Sequence, residues 1–559
     1  MEKNAVKDLL QKEKWYKKKY FFPVLLCLLI AALFSISLPY GFLTDWDDYA
    51  FIVNNPLLLP DWKNIVALST TTFQDLYTPL PMLSFMLDKA LFGLNPALFR
   101  LENILWHIVA ALFLYGILRQ LHIKNLIAFA GALLWAIHPQ KVESIVWITE
   151  RKDVLCGAFF FMSIYFFLRA LRQEKIPFAA TAAGLLALAS KPAAIPLPGI
   201  MVLAALCLYG KKRSFAVYCK ELLFPLCLFA GMIFYSYYVT SKNFPGGLER
   251  NYFVLFHNLF WYPFTAIIPF ELNPMYPNLK EWAWRSHFLI PGCIGVLLLL
   301  FLLYKSKLAP KIYGTFLLIT GGTLVPVLGV LSYTAMDHCD RYNYLVSGCV
   351  FAFVSAAASC YLKGKKEYRK KFLLLFIVLA LFYCCRTLSY IPVWKNCDTL
   401  FTYAVVHGRP ANHTAIENGV MSAIKSNNAF LMRQFASYML YDFEKYFPES
   451  VHLQHTALFF ASHAALLEGK KSEALTHYRT LAVLIQNGEL DLMRSAEFLP
   501  VLMRGGAEIC SDMNSFPEAQ LFFREYFKVK KEKTKEYYYM REKYRILLKK
   551  MRNSSLLLR

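Results

Sequence analysis

Apolar residues run in long blocks through the first four hundred positions, broken by short polar segments. The blocks lie near 21–40, 102–118, 125–137, 154–168, 177–189, 193–209, 216–239, 288–304, 312–330, 344–362 and 372–389. A run of about 20 apolar residues rising 1.5 Å each crosses the roughly 30 Å hydrocarbon layer. The pattern predicts about eleven transmembrane helices, the least regular between 154 and 209, where Pro192, Pro196 and Pro198 interrupt it. After residue 397 the blocks give way to amphipathic helical stretches with little strand-like alternation. The predicted fold class is all-α, with a polytopic membrane domain at 1–397 and a soluble helical domain at 398–559.

Composition agrees. Hydrophobic residues are 57% of the chain and charged ones 18%, against roughly 25% charged in soluble domains. This excludes a disordered chain and a single soluble domain. Charged residues number 60 of the first 397 and 39 of the last 162, which is where the soluble tail begins. Within it, the spacing of Leu458, Gly469, Ala474 and Tyr478 matches one tetratricopeptide repeat, and a plain helical hairpin fits equally well. Residues 519–552 read as one long closing helix rich in Lys and Tyr.

The net charge of +23 would suggest nucleic acid in a soluble protein. Here its distribution gives another account. Alternate connections at 1–20, 119–124, 169–175, 211–220, 305–311 and 363–371 hold 25 Lys and Arg and five acids. That bias puts the N-terminus in the cytoplasm and, after an odd number of spans, the tail outside. No nucleic-acid partner is called for. The first span reads as an uncleaved anchor, because its apolar stretch is long and no A-x-A site follows. Most of the thirteen Cys lie in apolar runs, and none shows zinc spacing.

The candidate chemistry gathers in the predicted outer loops. The first, 41–101, opens with Thr44-Asp45-Trp46-Asp47-Asp48, three carboxylates beside the membrane that suit a base or a cation ligand; a solvated turn or a helix cap is the alternative. The second holds His138-Pro139-Gln140-Lys141-Val142-Glu143 and continues to Glu150-Arg151-Lys152-Asp153. It reads as one interfacial helix begun by Pro139, whose charges could equally face water. A third, Asp337 to Tyr342, places Arg341 where a guanidinium could grip phosphate, with Asp340 beside it to orient the fork. There is no glycine-rich phosphate loop, so a nucleotide-fuelled enzyme is not expected.

These segments together resemble the GT-C membrane glycosyltransferases, most closely the transmembrane-and-tetratricopeptide O-mannosyltransferases and their bacterial relatives. The resemblance rests on DWDDYAFIVNNP at 45–56, PLPMLSFMLDKALFGLNP at 79–96, HPQKVESIVWITERKDVL at 138–155, KPAAIPLP at 191–198, PFELNPMYP at 269–277, DRYNYL at 340–345 and WKNCDTLF at 394–401. Thr78 and Cys339 depart from the family pattern, where Arg and Ala are usual. The resemblance implies a polyprenyl-phosphate-sugar donor, an outward-facing site, and a bacterial inner-membrane or endoplasmic-reticulum location. By matching position it implies Asp47 and Asp48 as the catalytic acidic pair. It also implies His138, Glu143, Arg151, Lys191, Arg341 and Tyr342 at the donor.

The residues suit that chemistry. Phosphate is already a good leaving group, so the enzyme needs a base for the acceptor hydroxyl, Asp47 or Asp48. It also needs positive charge at the departing phosphate, from Arg341, Arg151 or Lys191. Were a divalent ion used, the acidic pair would hold Mg²⁺ or Mn²⁺; the chemistry does not require one. The expected reaction moves a mannose-type hexose to a protein or glycan hydroxyl with inversion, and the tail presents the acceptor. The rival readings are a lipid-linked glycan polymerase or ligase and a non-catalytic scaffold displaying the tail.

Overall fold

The computed structural model describes residues 20–73, 76–210, 214–241, 252–277, 289–306, 308–328, 336–365, 367–408, 411–446, 448–492, 495–530 and 532–557. Among them there is no strand, only an isolated bridge between Phe73 and Leu76; the rest is helix and turn. The basic leader at 1–19 and Lys211–Arg213 lie outside the described residues. The chain divides into two compact units, 1–274 with 278–396, and 275–277 with 397–559.

Over the described residues, each apolar block of the first unit is largely helical. The helices are α1 (Phe21–Phe34), α2 (Trp62–Thr70), α3 (Pro79–Phe92), α4 (Pro96–Gln120), α5 (Asn125–Ala136), α6 (Lys141–Val146), α7 (Arg151–Gln173) and α8 (Phe178–Ser190). They continue as α9 (Leu197–Leu208), α10 (Phe215–Ser241), α11 (Tyr252–Thr265), α12 (Leu289–Lys305), α13 (Pro310–Leu324), α14 (Asn343–Tyr361) and α15 (Tyr368–Tyr390). Among the described residues, five segments are long and apolar enough to cross a bilayer: Pro96–Gln120, Ile148–Gln173, Ala216–Ser241, Asp340–Tyr361 and Tyr368–Trp394. Five shorter apolar helices accompany them. This is a multi-helix membrane protein.

The irregular stretch has a physical cause. Pro192 cannot donate to a helix ladder, and a 3-10 turn at Pro192–Ala194 separates α8 from α9. These helices have 13 and 12 residues, about 19 Å each at 1.5 Å per residue. Non-helical backbone at such a break is tolerated where it lies against protein or a cavity, and Lys191 sits on it. By contrast α7 starts with charged residues: Arg151, Lys152 and Asp153 are its buried first turn.

Packing separates the central helices from those facing lipid. In α14, Tyr344, Leu345, Val346 and Phe351 are all buried, whereas in α15 Leu374 is 64% and Leu381 61% exposed. Apolar side chains on an outer helix face gain nothing by hiding from hydrocarbon. The loop 41–101 is itself folded. Phe51, Ile52, Leu58, Leu68, Met82 and Phe85 form its core, which closes on Phe99 of α4 and Ile148.

The second unit is a series of helices: α16 (Cys397–His407), α17 (His413–Lys425), α18 (Ala429–Lys445), α19 (Val451–Leu467), α20 (Lys471–Asn487), α21 (Ser495–Asp512), α22 (Phe516–Val529) and α23 (Lys535–Leu557). α19 and α20 form a hairpin that turns at Gly469, whose φ of +74° favours glycine. Ala474 and Tyr478 are buried in it. The single helix expected over 519–552 is instead two. Five lysines crowd 528–535, where like charges disfavour a continuous helix, and Thr534 accepts from Tyr537 N at 3.3 Å to start the next one.

Candidate functional site

α4 carries a polar stripe on an otherwise apolar helix: Arg100, Asn103 and His107, all buried. Their spacing of three and four puts them on one face. Arg100 donates to the carbonyls of Val146 (2.8 Å), Tyr40 (2.7 Å) and Gly41 (3.0 Å). Asn103 Nδ2 reaches the carbonyls of Ile145, Trp147 and Ile148 at 3.3–3.4 Å. His107 Nε2 donates to Ala136 O at 3.0 Å, so Nδ1 accepts from the Tyr344 hydroxyl at 2.6 Å. This stripe explains a departure from the sequence reading. The segment 138–153 is not one helix. α6 ends at Val146, Trp147 is extended at φ −75°, ψ 113°, and Asn103 takes up carbonyls released by the break.

The two neighbouring aspartates of the first loop are unlike each other. Asp48 is buried. Its Oδ2 accepts from Leu43 N at 2.9 Å, and its Oδ1 accepts from Thr149 N at 3.1 Å and from the Thr149 hydroxyl. It therefore ties loop 41–101 to the turn before α7. Burial still pushes its carboxyl up, with those hydrogen bonds opposing. Asp47 is half-buried. Burial raises its pKa, while the Lys152 ammonium opposes the shift; Glu150 and Arg341 also act on it. Both Asp48 oxygens already accept from internal donors, which a shared divalent ion would have to compete with. Among the described residues no three His, Cys, Asp or Glu group as metal ligands.

Beside Asp47 lies a buried cluster of ions. Glu150 is approached by Lys152 at 3.0 Å, Arg341 at 3.4 Å and Lys191 at 3.5 Å. Lys191 also pairs with Asp153 at 2.5 Å, and Ser144 donates to Asp153 at 3.0 Å. Arg341 Nη1 meets Glu143 Oε1 at 2.5 Å, and Arg341 N donates to Glu143 Oε2 at 2.9 Å. Burial pushes the Glu143 carboxyl up to about 7 against the pull of Arg341. The guanidinium carbon stands 5.5 Å from the Trp147 ring and 5.2 Å from Tyr342, and the Lys191 ammonium is 5.5 Å from Tyr342. Asp153, Lys191, Arg341 and Tyr342 line a cavity of about 20 Å³.

Of the residues singled out from sequence, Glu143, Lys191, Arg341 and Tyr342 converge here, with Asp47 in the field of the cluster. Two lie elsewhere. Arg151 pairs with Asp88 at 2.5 Å and Glu102 at 2.7 Å, and donates to Asn103, Ser84 and Phe99 O. His138 is buried against Phe351 and Tyr383, with Nδ1 3.4 Å from Gln140 N. Asp340, expected to orient Arg341, accepts instead from Gln140 at 3.0 Å; Glu143 takes that place. Sequence reasoning did not assign Glu150, Lys152 and Asp153 to the site, nor Arg100 and Asn103 to its frame. The i, i+3, i+7 polar stripe inside α4 was a readable signal for that frame.

The family described as dolichyl-phosphate-mannose-protein mannosyltransferase matches residues 78–236. Among curated proteins, protein O-mannosyl-transferase TMTC1 of Mus musculus is 34% identical over 138 residues, 23% of this chain and 15% of the relative. TMTC4 of Homo sapiens is 31% identical over 152 residues, 23% of this chain and 20% of the relative. The Caenorhabditis elegans protein O-mannosyl-transferase F38B6.6 is 31% identical over 126 residues, 20% and 18%. The chain thus spans a fifth or less of the length of these relatives. No solved structure matches. Over these membrane helices the chain resembles the GT-C type O-mannosyltransferases, as its loop motifs led us to expect.

Proposed function

We propose that this chain is a membrane glycosyltransferase that moves a mannose-type hexose from a polyprenyl phosphate to an acceptor hydroxyl on the outer face of the membrane. The observation that carries this reading is the convergence of Lys152, Lys191 and Arg341 on Glu150 beside Asp47. Three cations withdrawn from bulk water near a carboxylate of raised proton affinity are what a phosphate leaving group and a hydroxyl nucleophile require. Asp47 takes the acceptor proton as the acceptor oxygen bonds to the anomeric carbon. The bond from that carbon to the phosphate oxygen breaks on the opposite side, so the configuration inverts. Polyprenyl phosphate leaves with the electron pair, its charge facing Arg341 and Lys191. Asp48 is a positioning residue that fixes the loop carrying Asp47.

An apolar groove of about 530 Å³, bounded by Leu76, Pro192, Ile195, Phe234 and Tyr237, starts one residue beyond Lys191 and suits the prenyl chain. The relatives' names point to a protein acceptor, which the helical second unit would present.

The test is transfer by the purified full chain from a short-chain polyprenyl-phosphate [¹⁴C]mannose to acceptor proteins from the same cells. Labelled protein and free polyprenyl phosphate in equal amounts are expected. A folded preparation that binds neither mannosyl nor other hexosyl donors would overturn the reading.

A further inference from the structure

Another cavity, far larger than the one beside Arg341, lies at the other end of the same helices, and nothing in the proposed reaction uses it. It has a volume of about 450 Å³ and is walled by Leu168 of α7, Ala204 of α9, Phe316 of α13 and Ala352 of α14, with Leu121 after α4. Leu168 is fifteen residues along α7 from Asp153, so the cavity is about 22 Å from the ion cluster at 1.5 Å per residue. Its edge is open sideways: Leu208 is 47% and Ile312 40% exposed. An apolar chamber opening between helices in hydrocarbon fits a lipid chain, not water or a polar metabolite.

The donor's prenyl chain does not reach this chamber from the site through the helix core. Between the two, the interior is filled by aromatic rings on small residues. A Cβ on Gly157 would come within 2.2 Å of the Tyr344 ring, and one on Gly348 within 2.5 Å of Phe161. Trp135 closes the gap, 5.4 Å from Phe161 and 5.2 Å from Tyr344 between ring centres.

The rim identifies the lipid class. Arg172 lines the mouth and is exposed, held by a hydrogen bond to Gln120 O. The Lys311 ammonium lies over Gly210, 2.9 Å from where a Cβ there would stand. Lys124 and Lys175 are exposed close by in the chain. Basic pockets between membrane helices on the cytoplasmic side suit anionic head groups. We infer that this chamber holds an acyl chain of one anionic phospholipid of the cytoplasmic leaflet, its phosphate at Arg172 and Lys311. The inference rests on the charge-derived topology but not on the catalytic reading.

The experiment is native mass spectrometry and lipid extraction of the full chain purified in mild detergent. It is then exchanged into nanodiscs of phosphatidylcholine with 20% phosphatidylglycerol, an amount on the order of natural anionic content. One retained phosphatidylglycerol per chain is expected, enriched over phosphatidylcholine by roughly tenfold or more, since each basic side chain near a surface favours anionic lipid several-fold. R172Q/K311Q should abolish the preference while leaving donor binding at its wild-type level. Ala352→Phe, which fills the chamber, should remove the bound lipid altogether. Equal retention of phosphatidylcholine, a polyprenyl lipid in the chamber, or retention unaltered in both variants would overturn the assignment. Loss of transfer activity alone would bear on the catalytic reading and leave this one standing.

Discussion

Two arginines in the membrane unit, Arg151 buried and Arg341 partly buried, are surrounded in opposite ways. Arg151 is closed in: Asp88 and Glu102 neutralise it, Asn103, Ser84 and Phe99 O take its remaining donors, and the Phe85 ring covers it at 4.6 Å. Arg341 is held by Glu143 and Glu150, faces two lysines that share Glu150 with it, and borders a cavity. Each is expensive to bury. The first arrangement spends its charge on holding loop 41–101 to α4 and α7. The second sets Arg341, Lys152 and Lys191 against Glu143, Glu150 and Asp153, and an incoming phosphate would gain most where Glu143, pushed up to about 7, gives way at Arg341. The same residue type near the same loop thus serves architecture in one place and, on our reading, chemistry in the other.

The comparison breaks most readily at Arg151. Arg151→Met should cost about 3–5 kcal/mol, because Asp88 is left buried without its counter-charge and the half-buried Glu102 loses its partner. That is a large share of a typical 5–15 kcal/mol stability, so little monodisperse protein should survive size-exclusion in detergent. Adding Asp88→Asn and Glu102→Gln should restore part of it. Full stability of the single variant would contradict the architectural role assigned to Arg151.

A smaller effect separates the adjacent aspartates. Asp48→Asn replaces charge-assisted bonds to Leu43 N and Thr149, worth roughly 1.5–3 kcal/mol for hydrogen bonds to a charged group, and should lower the melting temperature. Asp47→Asn should not. Equal melting shifts for the two would erase the distinction between a positioning and a catalytic carboxylate.

How much of this was legible beforehand depended on how far apart the cooperating residues lie. The membrane helices could be read locally, since each apolar block carries its own signal, and so could the break at Pro192. Glu143 and Arg341 were readable singly through their motifs. Their pairing was not, because 198 residues separate them and Asp340, adjacent to Arg341, looked the better partner. Asp47 and Asp48 are chemically identical in sequence; only Thr149, 101 residues further on, tells them apart. The interruption at Trp147 was hidden for the same reason, its cause being Asn103 on another helix. The split of the closing helix at Thr534 was a local signal, and the lysine run outweighed the helical periodicity that suggested continuity.

The smallest expected change is a shift of pH dependence. The Glu143 carboxyl is pushed from an ordinary 4.5 to about 7, so the folded chain holds this proton more tightly than the unfolded one. The resulting stability is fully present below about pH 4.5 and is lost as pH rises through about 7. Deprotonated, Glu143 competes with donor phosphate for Arg341. Donor KM should therefore rise as pH passes through about 7, and Glu143→Gln should flatten that rise. A wild-type KM independent of pH from 5.5 to 8.5, a window of roughly 1.5 units either side of 7, would contradict it.

The most direct measurement is single-turnover transfer from a short-chain polyprenyl-phosphate mannose by wild-type and Asp47→Asn protein, with the anomeric configuration of the product read by NMR. The account predicts an inverted product from the wild type. It predicts a rate lower by about 10²–10⁴ for Asp47→Asn, the usual worth of a general base, with donor binding and melting temperature unchanged. Wild-type turnover by a folded Asp47→Asn chain, or retention of configuration, would contradict it.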